Sequence, residues 1–476
     1  MTRTPQGGLR YAAGAWVTGT FGTVPGLLLL YYLTDTLAVP AAVAGAVVAV
    51  PKLGEVFLHA WVGRRVDATA RARPGRRARG RRVWMACAGV GLSAGFALLF
   101  AAPTPRGPLS AVWTALFFVV CVGAYSCFQV PYTAALAQVT TGSVQRVRFA
   151  AWRTAVYGLA VLACGALAPR IARHGTGQRA GYAVAGVVFG VLVLGAALTA
   201  AFSVPADAPA APADTAVDAG GPVTWRQQVA LVRGSVRLRR LLGVQAGQSV
   251  ATAMMLAGAQ YFATYGLHDA AATSVLMCCL VVPLLAAAPV WHAACRRGGA
   301  AGGLAVAVCL FGAGALALGA ASVVPRAVVY GCVAVCGVGY AGMQTLGVSL
   351  LGDLIAAGDP KRPGHDRGTG MGTGGGTAGA WSAVEAAGTA VGPAVFSVLL
   401  ALTGFVASAA GRSVVQPGAA LAAIVCGVSV APALALVPAV VCAVRLRGPD
   451  SGNPDGRERG DQDGDRQVSA GAGAGR

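Results

Sequence analysis

The sequence predicts an all-α membrane protein with twelve transmembrane helices. Of its 476 residues, 56% are apolar and only 11% are charged, whereas a soluble globular domain carries about 25% charged residues. The mean hydropathy is +0.64, and the apolar residues form runs of about 20, the length that crosses the hydrocarbon core as a helix. The basic residues lie mainly between these runs. Composition and spacing therefore favour a polytopic membrane protein over a soluble one.

Twelve apolar runs meet this length requirement and predict the spans in order. They lie near 11–34, 41–63, 83–102, 109–138, 148–169, 181–204, 241–265, 271–294, 301–322, 327–350, 380–403 and 418–444.

The predicted spans form two sets of six. Segment 205–240 separates them, and its first part is rich in Pro, Ala, Asp and Gly, which is typical of a flexible linker. We expect an N-terminal six-helix bundle at 1–204 and a C-terminal six-helix bundle at 241–445. The polar segment 446–476 is expected to be a disordered cytoplasmic tail. Two repeated halves of this kind are typical of secondary transporters.

The basic residues are distributed unequally between the two sides of the membrane. With the N-terminus inside, the predicted cytoplasmic segments include 64–82 with nine arginines and 226–240 with five. The opposite side holds only six, which are Arg106, Arg170, Arg173, Arg179, Arg326 and Arg412. This bias follows the positive-inside rule and predicts that both termini are cytoplasmic. It also explains the net charge of +20 without nucleic acid as a partner.

The sequence contains no recognisable catalytic or cofactor motif. Most of the twelve cysteines lie inside apolar runs, without disulfide or metal-ligand spacing. The Gly-rich segment 364–379 lacks the Lys-Ser/Thr of a phosphate-binding loop, so a hinge or linker is favoured. We therefore expect a protein that is not an enzyme and that has no cofactor and no metal.

Three ionisable residues interrupt the second predicted span. Lys52, Glu55 and His59 are three and four residues apart, which places them on one face of a helix. Such residues are costly in a membrane and usually face the protein interior or a water-filled cavity. One interpretation is a proton- or cation-coupling site in which Glu55 changes its charge. The other is a neutralised cluster that holds helices together.

Polar residues in other spans are candidates for solute contacts. Arg153 in span 5 can donate forked hydrogen bonds to a solute or lie at the membrane interface. Gln129 in span 4 can bind a hydroxyl group or bridge helices. Glu385 is the only acid in span 11 and can pair with Lys52 or line a cavity. Asp35 is interpreted as an interfacial residue, and Asp353 as a loop or gate contact.

Several motifs, taken in order, resemble one known family. The stretches are Leu30-Tyr-Tyr-Leu-Thr-Asp35, Gly63-x-x-x-Asp67-x-Thr69, Arg73-x-Gly75-Arg76, Val130-Pro131-Tyr132, Arg146 through Trp152-Arg153, and Tyr261-Phe-x-x-Tyr265. By these stretches the sequence is similar to the glycoside–pentoside–hexuronide:cation symporters, the melibiose-permease branch of the major facilitator superfamily. The resemblance implies twelve helices, alternating access and a central sugar site coupled to Na⁺, Li⁺ or H⁺. It also implies a cytoplasmic gating motif that contains Asp67, Arg73 and Arg76.

The family's ligand positions are partly changed in this sequence. The two span-2 acids of the family fall at Glu55 and His59, and a histidine nitrogen suits Na⁺ poorly because hard cations prefer oxygen ligands. The family's span-5 arginine is retained as Arg153. Its other ligand positions, in spans 1, 4, 10 and 11, fall at Gly19, Gln129, Gln344 and Ala386.

These observations lead to a functional hypothesis with an alternative. The first is a secondary transporter of a small organic solute in the bacterial inner membrane, coupled to H⁺ through Glu55, His59 and Lys52. Sugar-like uptake and metabolite efflux are its two versions, and the expected partners are the solute and the lipid bilayer, with the chain as a monomer. The alternative is a non-transporting membrane protein that keeps the fold for binding or assembly. The expected solute contacts are Arg153, Gln129, Gln344 and Glu385.

Overall fold

Every regular element in the described part of the chain is helical. The computed structural model describes residues 5–72, 77–104, 108–139, 143–174, 177–203, 225–357, 373–408 and 414–446. Its α-helices are α1 (Pro5–Ala12), α2 (Gly14–Tyr31), α3 (Ala41–Ala72), α4 (Arg77–Leu99), α5 (Pro108–Val139), α6 (Ser143–Arg173), α7 (Gln178–Ser203), α8 (Trp225–Gly234), α9 (Val236–Tyr261), α10 (Ala272–Gly298), α11 (Ala300–Ala317), α12 (Arg326–Ala357), α13 (Thr373–Leu402), α14 (Gly418–Val428) and α15 (Val430–Arg445).

Eleven helical segments of the described residues are long and apolar enough to cross a membrane. They run from Gly8–Thr36 to Gly418–Arg445 and coincide with eleven of the twelve predicted spans. The seventh predicted span is the exception. It lies in α9, which begins with a basic segment and carries Gln245 and Gln248, so its composition is less apolar. The described structure therefore contains eleven candidate spans, while the twelfth and the cytoplasmic termini remain predictions.

Helices extend into segments that the sequence predicted as loops. α3 continues to Ala72 and α4 begins at Arg77, so most of the arginine-rich loop is helical. Arginine and alanine are both strong helix formers, which explains this extension. Asp353 lies inside α12 and is exposed, so its prediction as a loop residue is wrong. The predicted tail beyond residue 446, the linker from 205 to 224 and the Gly-rich segment from 364 to 372 lie outside the described residues.

Two apolar clusters form the core of the described residues. The larger cluster contains Leu28 and Phe100 from the first half of the chain together with Tyr261, Phe396 and Phe405 from the second. All its members from the second half lie near one end of their helices, the end where α9 and α13 finish and α10 and α14 begin. The smaller cluster contains only residues of the range 238–446. The two halves of the chain therefore share a core at one end of the molecule.

The ends of α2 and α9 have the same local structure. Each helix finishes in a π-helical turn, Tyr32–Thr36 and Phe262–Gly266 respectively. Each turn is followed by a non-glycine residue in the left-handed region, Ala38 with φ 56° and His268 with φ 51°. Such a conformation is uncommon for residues other than glycine. Its recurrence at equivalent positions indicates two related halves.

Candidate functional site

The three ionisable residues of α3 form a chain of contacts around Glu55. Lys52 Nζ lies 2.8 Å from Glu55 Oε2, which makes a partly buried ion pair between residues three apart. His59 Nε2 lies 3.8 Å from Glu55 Oε1, beyond the range of a hydrogen bond. The same nitrogen is buried and has no hydrogen-bond partner among the described residues. Glu55 therefore has one strong partner and one neighbour that could bond after a small movement.

Aromatic rings from α2 and α5 cover Lys52. Its Nζ lies 4.3 Å from the ring centroid of Phe21 and 6.0 Å from that of Tyr125. These two rings stack on each other with centroids 4.1 Å apart. The ring of His59 is 6.1 Å from that of Tyr125. The aromatic faces stabilise the ammonium group by cation–π attraction and limit its exposure to water.

Gln129 and Arg153 lie beside this cluster on the α5 and α6 side. Thr18 donates a hydrogen bond of 2.9 Å to Gln129 Oε1. The guanidinium of Arg153 is 5.5 Å from the ring of Tyr132, which stacks on Tyr11 at 4.8 Å. The described structure thus gives each residue a partner within the protein, and neither contacts Glu55 directly.

Helices of the second half of the chain bring further polar groups to the same region. Glu385 of α13 interacts electrostatically with Glu55 and Lys52, although it makes no ion pair with Lys52 within 4.0 Å. Gln344 Nε2 donates a hydrogen bond of 2.8 Å to Tyr340 Oη. The structure therefore brings Glu385 toward the charged face of α3, which the sequence could not establish.

A close crossing of α3 and α13 holds the two charged faces near each other. A Cβ atom at Gly45 would lie 1.7 Å from Ser397 Oγ, so no larger residue fits without movement. Small residues of this kind allow transmembrane helices to approach closely. The crossing is ten residues from Glu55 along α3. It fixes the helix that carries Lys52 and Glu55 against the helix that carries Glu385.

The predicted cytoplasmic gating motif cannot be placed in this site. Asp67 belongs to α3, but its side chain is not described. Arg73 and Arg76 lie outside the described residues. Their role remains a prediction.

One acid has a different environment from the one that the sequence predicted. Asp35 is 3% exposed, so its interpretation as an interfacial residue is wrong. Its carboxylate accepts hydrogen bonds from Thr34 Oγ1 at 2.6 Å and from Tyr265 Oη. The π-helical turn at the end of α2 directs this side chain toward the end of α9, 230 residues away. The motif Tyr-x-x-Thr occurs at both Tyr31 and Tyr261, and this repeat could have indicated that the ends of α2 and α9 are related.

Within the described ranges, no three His, Cys, Asp or Glu side chains are grouped closely enough to hold a metal ion. The arrangement instead offers ionisable groups, aromatic rings and amides. Such groups can bind a proton or a small organic solute.

Three solved transporters have the same overall fold. A bacterial homologue of the human lysosomal transporter Spinster matches with TM-score 0.67 and 11% identity over 93% of this chain and 96% of its own. The nucleoside transporter NupG matches with TM-score 0.62 and 11% identity over 94% and 100%. The xylose transporter XylE from E. coli, in a partially occluded inward open conformation, matches with TM-score 0.59 and 13% identity over 93% and 98%. At these identities the likeness establishes the fold alone.

The sequence comparison identifies the family. No curated protein sequence matches this chain significantly. The profile of the family described as MFS/sugar transport protein matches residues 10–447, which is nearly the whole chain. The protein is therefore a multi-pass membrane transport protein rather than an enzyme, and it belongs to the MFS/sugar transport protein family.

Proposed function

We propose that this protein is a secondary active transporter that moves a small organic solute across the cytoplasmic membrane and is driven by protons. It is a monomer of twelve spans in two six-helix bundles, with both termini in the cytoplasm, and it resembles the melibiose-permease branch of its superfamily. The observation that carries this proposal is the Lys52–Glu55–His59 cluster of α3, in which Glu55 is buried and the other two are partly buried, with Glu385 of α13 nearby.

The cluster contains one more acid than it can pair with Lys52. Lys52 lies 2.8 Å from Glu55, while Glu385 has no ion-pair partner among the described residues. A proton that binds Glu55 removes the counterion of Lys52, and the ammonium is then attracted to Glu385. Proton binding at α3 would therefore strengthen its attraction to α13. A change of contact between the two halves is what alternating access requires.

His59 favours a proton over Na⁺ as the coupling ion. Histidine changes its charge near physiological pH, whereas its nitrogen is a poor ligand for a hard cation. The 3.8 Å separation from Glu55 can shorten to a charge-assisted hydrogen bond when His59 is protonated. The pair then holds a proton between two groups on adjacent turns of α3.

The packing supports an inward-facing state. The core shared by both halves lies at the end of α2 and α9, whereas the opposite end of the second half has a core of its own. The arginine distribution places the shared end on the outer side of the membrane. The coupling cluster would then be reached from the cytoplasm.

The groups around the cluster suit a polar solute that contains a ring. The rings of Tyr157 in α6 and Tyr340 in α12 can stack on a sugar or a base. Gln129, Arg153 and Gln344 can bind hydroxyl or carbonyl groups. The family is described as MFS/sugar transport protein, so sugars are the first solutes to test, and nucleosides are included because they also combine a ring with hydroxyl groups. Sugar-like uptake and metabolite efflux both fit these contacts.

Transport by the purified full chain in proteoliposomes tests the proposal. Pentoses, hexoses and nucleosides are offered with an imposed pH gradient, and accumulation is compared with that after collapse of the gradient. Glu55→Gln is expected to abolish gradient-driven accumulation, because the coupling charge is lost. Solute exchange in the absence of a pH gradient should persist, because the fold is retained. Asp353→Asn is the matched control, since it removes an exposed acid that is not part of the cluster.

Two outcomes contradict the proposal in different ways. Full gradient-driven accumulation by both Glu55→Gln and His59→Ala would show that the protons couple elsewhere. Failure of every solute to move, in wild-type vesicles that contain folded protein, would favour a non-transporting role in binding or assembly.

A further inference from the structure

Equivalent residues of the two halves meet at the shared end of the molecule. Asp35 and Tyr265 occupy equivalent positions 230 residues apart, and they hydrogen-bond to each other. Tyr31 and Tyr261 are also equivalent, and their ring centroids lie 5.0 Å apart. A pseudo-twofold axis therefore passes between the ends of α2 and α9. The contacts at this axis form the closed end of the molecule.

Hydroxyl groups link Asp35 to both halves. Tyr261 Oη and Thr34 Oγ1 lie 2.6 Å apart, and Thr34 Oγ1 lies 2.6 Å from Asp35 Oδ2. When Tyr261 donates to Thr34, Thr34 can donate to Asp35, while Tyr265 donates to the other carboxylate oxygen. The backbone N–H of Ser408 also donates to the carbonyl of Thr34 at 2.9 Å. The carboxyl group is thus the centre of a network that crosses the interface.

Asp35 has no cationic partner in the described structure. None of the ion pairs within 4.0 Å involves it. Two charged groups of the adjoining segment, Asp269 and Arg326, pair with each other at 3.4 Å. On the α7 side, Arg179 donates its hydrogen bond to the carbonyl of Ala102, at 2.6 Å, rather than to Asp35. Other than the exposed His268, the titratable groups around Asp35 are phenols, contributed by the end of α2, by α7 and by the end of α9: Tyr31, Tyr32, Tyr182, Tyr261 and Tyr265.

We propose that Asp35 is a second proton-binding site of this transporter and that its protonation holds the outer gate shut. A carboxylate buried without a cation is costly, even with hydroxyl donors. In the closed gate the neutral acid avoids this cost and can still hydrogen-bond to Thr34 and Tyr265. Opening separates α2 from α9 and hydrates the group, which favours its ionised form. By linkage, protons that reach Asp35 from outside favour closure.

This proposal rests on alternating access but not on the Glu55 site. It places a binding site for protons from the outer side of the membrane at Asp35, at the end of α2. The proposed coupling cluster lies in the middle of α3. A measurement of gate opening that needs no transported solute can therefore separate the two.

Hydrogen exchange of the full chain in lipid nanodiscs is such a measurement. The protection of amides in the ranges 31–40 and 261–272 is compared with that in 182–201 of the same molecule, after correction for intrinsic exchange. In the wild-type protein we expect protection of the two end segments to fall about tenfold or more between about pH 5.5 and about pH 8.5, as Asp35 ionises. Asp35→Asn and Asp35→Ser should both abolish this fall, because neither residue titrates.

Two controls identify the group that titrates. His268→Gln should retain the fall, which excludes the neighbouring histidine. Glu55→Gln should also retain it, since the coupling cluster is not part of the gate. The proposal is overturned if the wild-type segments show no pH dependence, if Asp35→Asn and Asp35→Ser retain it, or if His268→Gln or Glu55→Gln removes it. Loss of proton-driven transport in Glu55→Gln with an intact exchange profile would support both sites separately.

Discussion

Glu55 and Asp35 are both buried acids, but they are stabilised by different kinds of partner. Glu55 has an ammonium group 2.8 Å away, held under aromatic rings. Asp35 has only hydroxyl donors and is itself less exposed than Glu55, at 3% against 6%. The first acid is stabilised by a charge on its own helix, while the second depends on residues of the other half of the chain.

This difference in partners indicates different roles for the two acids. Protonation of Glu55 removes the ion-pair partner of Lys52, and both residues of this pair belong to the same helix. Protonation of Asp35 is linked to whether the ends of α2 and α9 are in contact, because its partner Tyr265 belongs to α9's end. A local charge pair suits ion binding, and a shared network suits a gate. Variants that remove one partner at a time test this contrast.

Removal of Lys52 should have the largest effect on stability. Lys52→Met leaves Glu55 buried without its ion-pair partner. Because Lys52 itself is partly exposed, we expect the low end of the cost of breaking a buried pair, about 3 kcal/mol. The free energy of unfolding, measured by titration with a denaturing detergent, should fall by this amount. Glu55→Gln in the same chain should restore most of the loss, because no charge is then left unpaired. A fall of equal size in the double variant would show that Lys52 acts through packing rather than through charge.

Substitution of Gly45 by a larger residue should have an intermediate effect on stability and should also disturb the cluster around Glu55. Gly45→Ala places a methyl group 1.7 Å from Ser397 Oγ and forces α3 and α13 apart. Overpacking of this kind costs about 2 kcal/mol, and it should also weaken the electrostatic contact between Glu385 and the α3 cluster. Thermal unfolding and the pH-gradient assay measure the two effects.

Gly54 of the same helix provides a matched control for that substitution. A Cβ atom there meets nothing within 4 Å, so Gly54→Ala should not destabilise the protein. Ser397→Gly should rescue Gly45→Ala, because the blocking side chain is removed. If Gly54→Ala were as harmful as Gly45→Ala, the close crossing would not be the cause.

Sequence patterns predicted those features that depend on neighbours in the chain. Eleven spans followed from runs of apolar residues, and the contacts of Lys52 and His59 with Glu55 followed from helical spacing. Asp35 was misplaced because its burial depends on Tyr265, which is 230 residues away. The position of Glu385 near α3 likewise depends on how α13 packs.

Removal of the Tyr265 hydroxyl should have the smallest effect on the free energy of unfolding. The size of this effect distinguishes a neutral from an ionised Asp35. Tyr265→Phe deletes one hydrogen bond to the carboxyl group and retains the aromatic ring. Such a bond contributes about 1 kcal/mol between neutral groups and about 2 kcal/mol or more to a charged group. With Asp35 protonated in the closed gate, we expect the smaller loss under mildly acidic conditions. A loss near 2 kcal/mol there, absent when Tyr265→Phe is combined with Asp35→Asn, would mean that Asp35 stays ionised while the gate is closed. Its hydroxyl network would then act as a permanent anion site, and the two acids of this transporter would differ in their partners but not in their charge.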